Sequence, residues 1–120
     1  MASTVLFDQR VINAQTTGTF ILPFSSNVSP YVDGKMQGQP LEFTFHVYFS
    51  TGANAGVLKL ETAGDPASTG TWAVIGTVTF ATEDTWHYVS LTGTFRALRL
   101  RFSSNVTGGT ASVDCIASSR

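Results

Sequence analysis

The run Arg96-Ala97-Leu98-Arg99-Leu100-Arg101-Phe102, the break Ser103 to Gly109, and the run Thr110-Ala111-Ser112-Val113-Asp114-Cys115-Ile116-Ala117 together decide the fold. Leu98, Leu100 and Phe102 point one way while Ala97, Arg99 and Arg101 point the other, which is the period-two alternation of a half-buried strand. Ala111, Val113, Cys115 and Ala117 alternate in the same manner against Thr110, Ser112 and Asp114. The glycine-bearing break between the runs predicts a β-hairpin whose long tip covers residues 104–109. In that register Ser103 faces Thr110, Arg101 faces Ser112 and Arg99 faces Asp114, and a one-residue slip would mismatch every face. The expected Arg99–Asp114 ion pair is exposed, worth roughly 0.2 to 1 kcal/mol, so it would set register more than stability.

Working toward the N-terminus, Trp86 to Thr92 carries Val89 and Leu91 on one face with His87, and Trp86 and Tyr88 on the other. Trp72 to Phe80 alternates Trp72, Val74, Val78 and Phe80 against Ala73, Ile75, Thr77 and Thr79, with Gly76 marking a bulge or a close backbone approach. Leu58 and Leu60 point inward and Lys59 and Glu61 outward along Val57 to Thr62. The cleanest alternation lies in Leu41 to Phe49, where Leu41, Phe43, Phe45, Val47 and Phe49 share a face, and this predicts a central strand. The small-residue turn Thr51 to Gly56 predicts that this strand and the Leu58 strand form a hairpin. Ser25 to Pro40 reads as a long loop with room for a short strand around Tyr31 and Val32. Phe20, Leu22 and Phe24 define another strand, and Val5 to Ile12, apolar on both faces, is an N-terminal arm or an edge strand.

Eight or so short strands separated by turn residues, with no capped helical period, predict an all-β chain: one antiparallel β-sandwich over residues 1–120 with almost no helix. A jelly roll is the expected topology, although the strand count suits an immunoglobulin-like arrangement equally. Each fully buried large side chain adds about 1.5 to 3 kcal/mol to such a core.

Composition narrows the function classes. The chain has 120 residues and a net charge of -1, so it carries no electrostatic footprint for nucleic acid or for an anionic membrane surface. Charged residues make up only 12% against a usual quarter, which suits a surface covered by partner subunits. The single cysteine, Cys115, allows no internal disulfide and sits in an apolar run as a small hydrophobe. His46 and His87 lack metal-ligand spacing, so neither a metal nor another cofactor is expected. The adjacent carboxylates Glu83 and Asp84 would be solvated on a turn, and no nucleophile motif accompanies His87, so no catalytic residue is expected. No signal peptide or membrane-length apolar run is visible, and synthesis in the cytoplasm of the producing cell is expected. The aromatics Tyr31, Tyr48, Trp72, Trp86 and Tyr88 are the constellation with a functional alternative. Trp72 is expected in the core, whereas Trp86 and Tyr88 are placed to form an exposed patch that could stack on sugar rings or anchor a protein interface.

From Gly70 onward the chain resembles small virion proteins of tailed bacteriophages. The likeness is carried by Gly70-Thr71-Trp72, Gly76-Thr77-Val78-Thr79-Phe80, Trp86, Gly93-Thr94-Phe95, Arg99-Leu100-Arg101 and Val106-Thr107-Gly108-Gly109-Thr110-Ala111-Ser112-Val113. It departs at Ala81 to Thr85, which is shorter than the Asp-Gly turn such sequences insert between the two tryptophan-bearing strands. The resemblance implies a capsid decoration (cement) protein on the virion exterior, a homotrimer that binds the major capsid protein and has no catalysis. A fibre or tail module that binds carbohydrate or a host receptor is the alternative. The expected interface residues are Val5, Phe7, Val11, Trp86, Tyr88, Arg99 and Arg101. An arm that docks on the capsid should be removable with residues 1–12, leaving a folded β domain.

Overall fold

The computed structural model describes residues 5–22, 31–32, 35–36, 41–65, 67–93 and 97–119. In chain order the strands are β1 (Val5–Gln15), β2 (Thr19–Leu22), β3 (Tyr31–Val32), β4 (Lys35–Met36), β5 (Leu41–Phe49), β6 (Ala55–Ala63), β7 (Ala73–Thr79), β8 (Thr85–Gly93), β9 (Ala97–Thr107) and β10 (Ala111–Ser119). Sheet A has the order β1-β10-β5-β8 and sheet B the order β2-β9-β6-β7, while β3 and β4 form a separate two-stranded ribbon. All pairings are antiparallel. Among the eight strands of the two four-stranded sheets, consecutive ones alternate between the sheets except at β6–β7. This order is the jelly roll that the strand pattern suggested, and no described residue is helical.

The clearest alternations became the central strands because those strands are flanked on both sides and covered on one face. Phe43, Phe45 and Phe49 of β5 pack against Leu58 and Leu60 of β6 and Leu98 and Leu100 of β9, all buried. Side-chain volume is matched across the central pair of sheet A. Ala117 stands opposite Phe43, Cys115 opposite Phe45 and Ala111 opposite Phe49, so each ring has a small neighbour beside it in the same layer. Interiors close-packed like organic crystals require this kind of compensation.

Two expected hairpins need correction. The β9–β10 hairpin does not form, because β9 lies in sheet B and β10 in sheet A. The expected hairpin between β5 and β6 also spans the two sheets instead of joining neighbours. Both connections are arches, and the two arches clasp each other at one end of the sandwich. Ser50 N donates to Thr110 O at 2.9 Å, Asn54 N to Thr107 O at 3.0 Å, and Thr110 N to Ser50 Oγ at 2.9 Å. Their backbones approach so closely that a Cβ on Gly108 would sit 2.2 Å from Gly52 O. Those bonds satisfy the turn amides that a hairpin would have used within one sheet.

Of the two readings of the N-terminal stretch, an arm or an edge strand, the structure has the second: residues from Val5 to Gln15 form the edge strand of sheet A, paired with β10 from Ser118 down to Ala111. Glu61 lies on the outer face of sheet B, as its alternation with Leu60 predicts, yet it is only 3% exposed. In β7 the bulge predicted near Gly76 is present. Leu60 pairs with Gly76 and Glu61 with Val74, so Ile75 is the extra residue. That residue reverses the phase, leaving Val74 exposed while Val78 is buried.

Candidate functional site

Alternation along β5 and β8 places their even-numbered side chains on the outer face of sheet A. The register sets Tyr48 beside Trp86, His46 beside Tyr88 and Thr44 beside Ser90. Trp86 is 52% exposed and Tyr88 72% exposed. The Tyr48 and Trp86 rings lie 5.2 Å apart, and the His46 ring stands 6.4 Å from Trp86 and 6.5 Å from Tyr88. Polar groups border these rings. Thr44 and Ser90 share a hydroxyl–hydroxyl hydrogen bond of 2.8 Å, and the Tyr48 hydroxyl donates to Asp84 Oδ1. Asp84 holds a left-handed backbone with φ 55, a conformation that Asp tolerates better than most residues, and its N–H donates to Phe49 O at 2.8 Å. Beyond the rings the same face carries the exposed ion pair between Arg10 and Asp114.

His87 turns to the other side of β8 and has a packing role. Its ring makes edge contact with Phe49 at 4.9 Å. Nε2 accepts from Ala81 N at 3.1 Å while Nδ1 donates to Thr85 O at 3.2 Å, so both nitrogens are used in closing the β7–β8 connection. Among the described residues no three His, Cys, Asp or Glu side chains are grouped so as to hold a metal ion. Cys115 is buried in the core.

The outer face of sheet B is built differently. Arg99 Nε donates to Glu61 Oε1 at 2.7 Å, and Arg101 Nη2 donates to Glu61 Oε2 at 2.9 Å. The Arg99 guanidinium also lies 4.5 Å from the centroid of the Trp72 ring, a cation–π contact. Trp72 is buried as expected, but it caps this charge cluster and donates from Nε1 to Ser68 O at 3.2 Å instead of joining the core between the sheets. Burial pushes the Glu61 carboxyl upward, yet hydrogen bonds and charge from Arg101 and Arg99 outweigh it and hold the group below its ordinary value.

The expected interface residues thus fall into three places. Trp86 and Tyr88 come together with Tyr48 and His46 on the exposed face. Arg99 and Arg101 are held by Glu61 on the opposite side of the sandwich, and Asp114 pairs with Arg10 instead of Arg99. Val5, Phe7 and Val11 lie in β1, and their side chains fall outside the described residues. Glu61 was the residue missed. Its signal was the single carboxylate of β6, in a chain with two arginines spaced two apart on another strand.

Fold and face together define a jelly-roll β-sandwich with an exposed aromatic face on one sheet. No family model matches the sequence, and no curated protein matches it. Among solved structures, the chain is similar to a protein of Bacillus endospore appendages, described as a novel family of disulfide-linked pili. That likeness has a TM-score of 0.49 and 12% identity, and covers 99% of this chain and 91% of the other. It is also similar to part of the N-terminal CBM22-1–GH10 modules of a Clostridium thermocellum endo-1,4-β-D-xylanase 10B in complex with xylohexaose, with a TM-score of 0.44 and 13% identity. There the likeness covers 95% of this chain and 29% of the other.

Proposed function

We propose that this protein is a structural component of a phage particle that attaches to the outside of the capsid through the outer face of sheet A, and that it acts by binding and not by catalysis. The observation that carries this reading is the pair Trp86 and Tyr88, more than half exposed on a strand without a charged residue. Exposed aromatic rings backed by other rings are the usual anchors of protein interfaces, since they bury large area at small entropic cost. Low overall charge and the sequence resemblance to phage virion proteins point the same way. The test is sedimentation of the protein with shells of the major capsid protein: wild type should co-sediment and Trp86→Ala should not. Equal binding by Trp86→Ala and Tyr88→Ala would overturn the reading.

A second reading is favoured by the groups that border the rings. Asp84 offers a carboxylate beside Tyr48, and Thr44 and Ser90 offer hydroxyls next to His46 and Tyr88, so polar groups flank the rings at both ends, the combination with which a protein can stack on a sugar ring and bond its hydroxyls. A glycan array separates the two: specific binding lost in Trp86→Ala supports a receptor-binding module, and silence supports the capsid reading.

A further inference from the structure

Each sheet of the sandwich ends in two edges, and natural β proteins protect such edges with bulges, charges, proline or short length. Three of the four edges here carry a device of that kind. β1 has three register shifts and contains Asp8 and Arg10, β2 is only four residues long, and β7 is bulged at Ile75. The fourth, β8, has none. Its nine residues, Thr-Trp-His-Tyr-Val-Ser-Leu-Thr-Gly, contain no charge and no proline, and they pair with β5 without a register shift. No described strand pairs with the other side of β8.

A second observation falls on the same side of the molecule. Among the described residues the exposed large hydrophobics are Val74, Trp86 and Tyr88, all on β7 or β8. The apolar residues that pack on the core but are only partly buried, Ile75, Phe80, Val89 and Leu91, lie on these two strands or in the connection between them. The core is therefore closed everywhere described except along the β7–β8 side. By contrast, Phe43, Phe45, Val47 and Phe49 on neighbouring β5 are at most 1% exposed.

We propose that the occupant of this edge is a second copy of the same chain, joined by antiparallel pairing of β8 with β8 about a two-fold axis. A centre at Val89 sets Tyr88 opposite Ser90 of the other copy, His87 opposite Leu91 and Trp86 opposite Thr92, so all nine residues pair and every side chain keeps its face. The strand meets itself without a like-charge contact because it carries none. Sheet A becomes one continuous sheet across the dimer, the partly exposed Val89 and Leu91 gain cover, and the aromatic faces of the two copies become a single surface. The assembly is two-fold, unlike the trimer that the phage resemblance implies, and it holds whether that surface binds a capsid or a glycan.

Sedimentation velocity of the purified full chain provides the test, with Ser90→Lys, which brings two positive charges near each other across the joined strands, and Ser104→Lys on exposed β9 as the control. The expected result is a wild-type mass of two chains, a dissociation constant raised roughly tenfold or more in Ser90→Lys, and no change in Ser104→Lys. Amide hydrogen exchange on wild type should show alternate β8 amides losing protection on dilution while those of β5 keep it, a reading independent of whether the variant folds. A monomer or trimer at all concentrations, a dimer indifferent to Ser90→Lys, or β8 protection that does not change with concentration would overturn the proposal.

Discussion

Arg99 Nε donates to Glu61 Oε1 at 2.7 Å across the β6–β9 pair, and the carboxylate receiving it is 3% exposed. Arg101 fills the remaining acceptor positions, with Nε at 3.1 and 3.2 Å and Nη2 at 2.9 Å. One buried anion thus ties two rungs of sheet B together. Glu61→Gln keeps the shape but removes the charge and leaves two guanidinium groups facing a neutral amide. Hydrogen bonds to charged groups are worth about 1.5 to 3 kcal/mol. The arginine side chains are 22% and 34% exposed, so water compensates part of the loss and about 2 kcal/mol is expected in urea unfolding. Arg10→Ala, which breaks the exposed pair with Asp114, should cost less than about 1 kcal/mol by the same measurement.

Acid should weaken the fold through the same group. The Glu61 carboxyl sits below its ordinary value of 4.5 in the folded chain and returns to it on unfolding, so between the two values the unfolded state binds the extra proton. Its contribution is complete above the ordinary value and disappears as pH falls through the folded one. Unfolding free energies of wild type and Glu61→Gln should therefore differ most near neutrality and converge at acid pH. A constant gap across that range would contradict the assignment.

The clasped arches make two glycines unequal to the others. Gly108 has φ +79 and its added Cβ would meet Gly52 O at 2.2 Å, a backbone atom that cannot rotate away. Gly108→Ala should cost about 2 kcal/mol or more, from left-handed strain together with separation of the arches. Gly64→Ala is the matched control, because nothing lies within 4 Å of the added carbon and its backbone is not left-handed. Thermal melts of the two variants should differ accordingly.

Removal of residues 1–12 should unfold or aggregate the protein, contrary to the detachable arm expected from sequence. It deletes most of β1 and bares the backbone of β10 from Val113 to Ser118 to solvent and to other chains. Loss of a cooperative melt in the truncated chain is the expected outcome, and a melt unchanged from wild type would contradict the pairing.

Much of this was legible in the residues. The alternation of Phe43, Phe45, Val47 and Phe49, and of Leu98, Leu100 and Phe102, identified central strands and their inward faces, because burial on one side of a pleated ribbon imposes a period of two on any sequence that satisfies it. Trp86 and Tyr88 were placed outward by the same rule, and both are more than half exposed. Partners were another matter. The expected jelly roll and the expected β9–β10 hairpin exclude each other, since in this topology those two strands belong to opposite sheets. Matching polar faces made Arg99 opposite Asp114 plausible, and the same matching is satisfied by Arg99 with Glu61 and Asp114 with Arg10.

What the chain determined by itself is which segments are strands and which of their side chains face inward, because both follow from local backbone geometry and the cost of leaving large apolar groups in water. Which strand lies beside which was decided only in three dimensions. That choice turned on contacts between residues far apart in sequence, the Gly52–Gly108 approach that sends two turns across the sandwich and the buried carboxylate of Glu61 that gathers two arginines from β9. Alternation names a face and never a neighbour, so no local pattern could have carried that information.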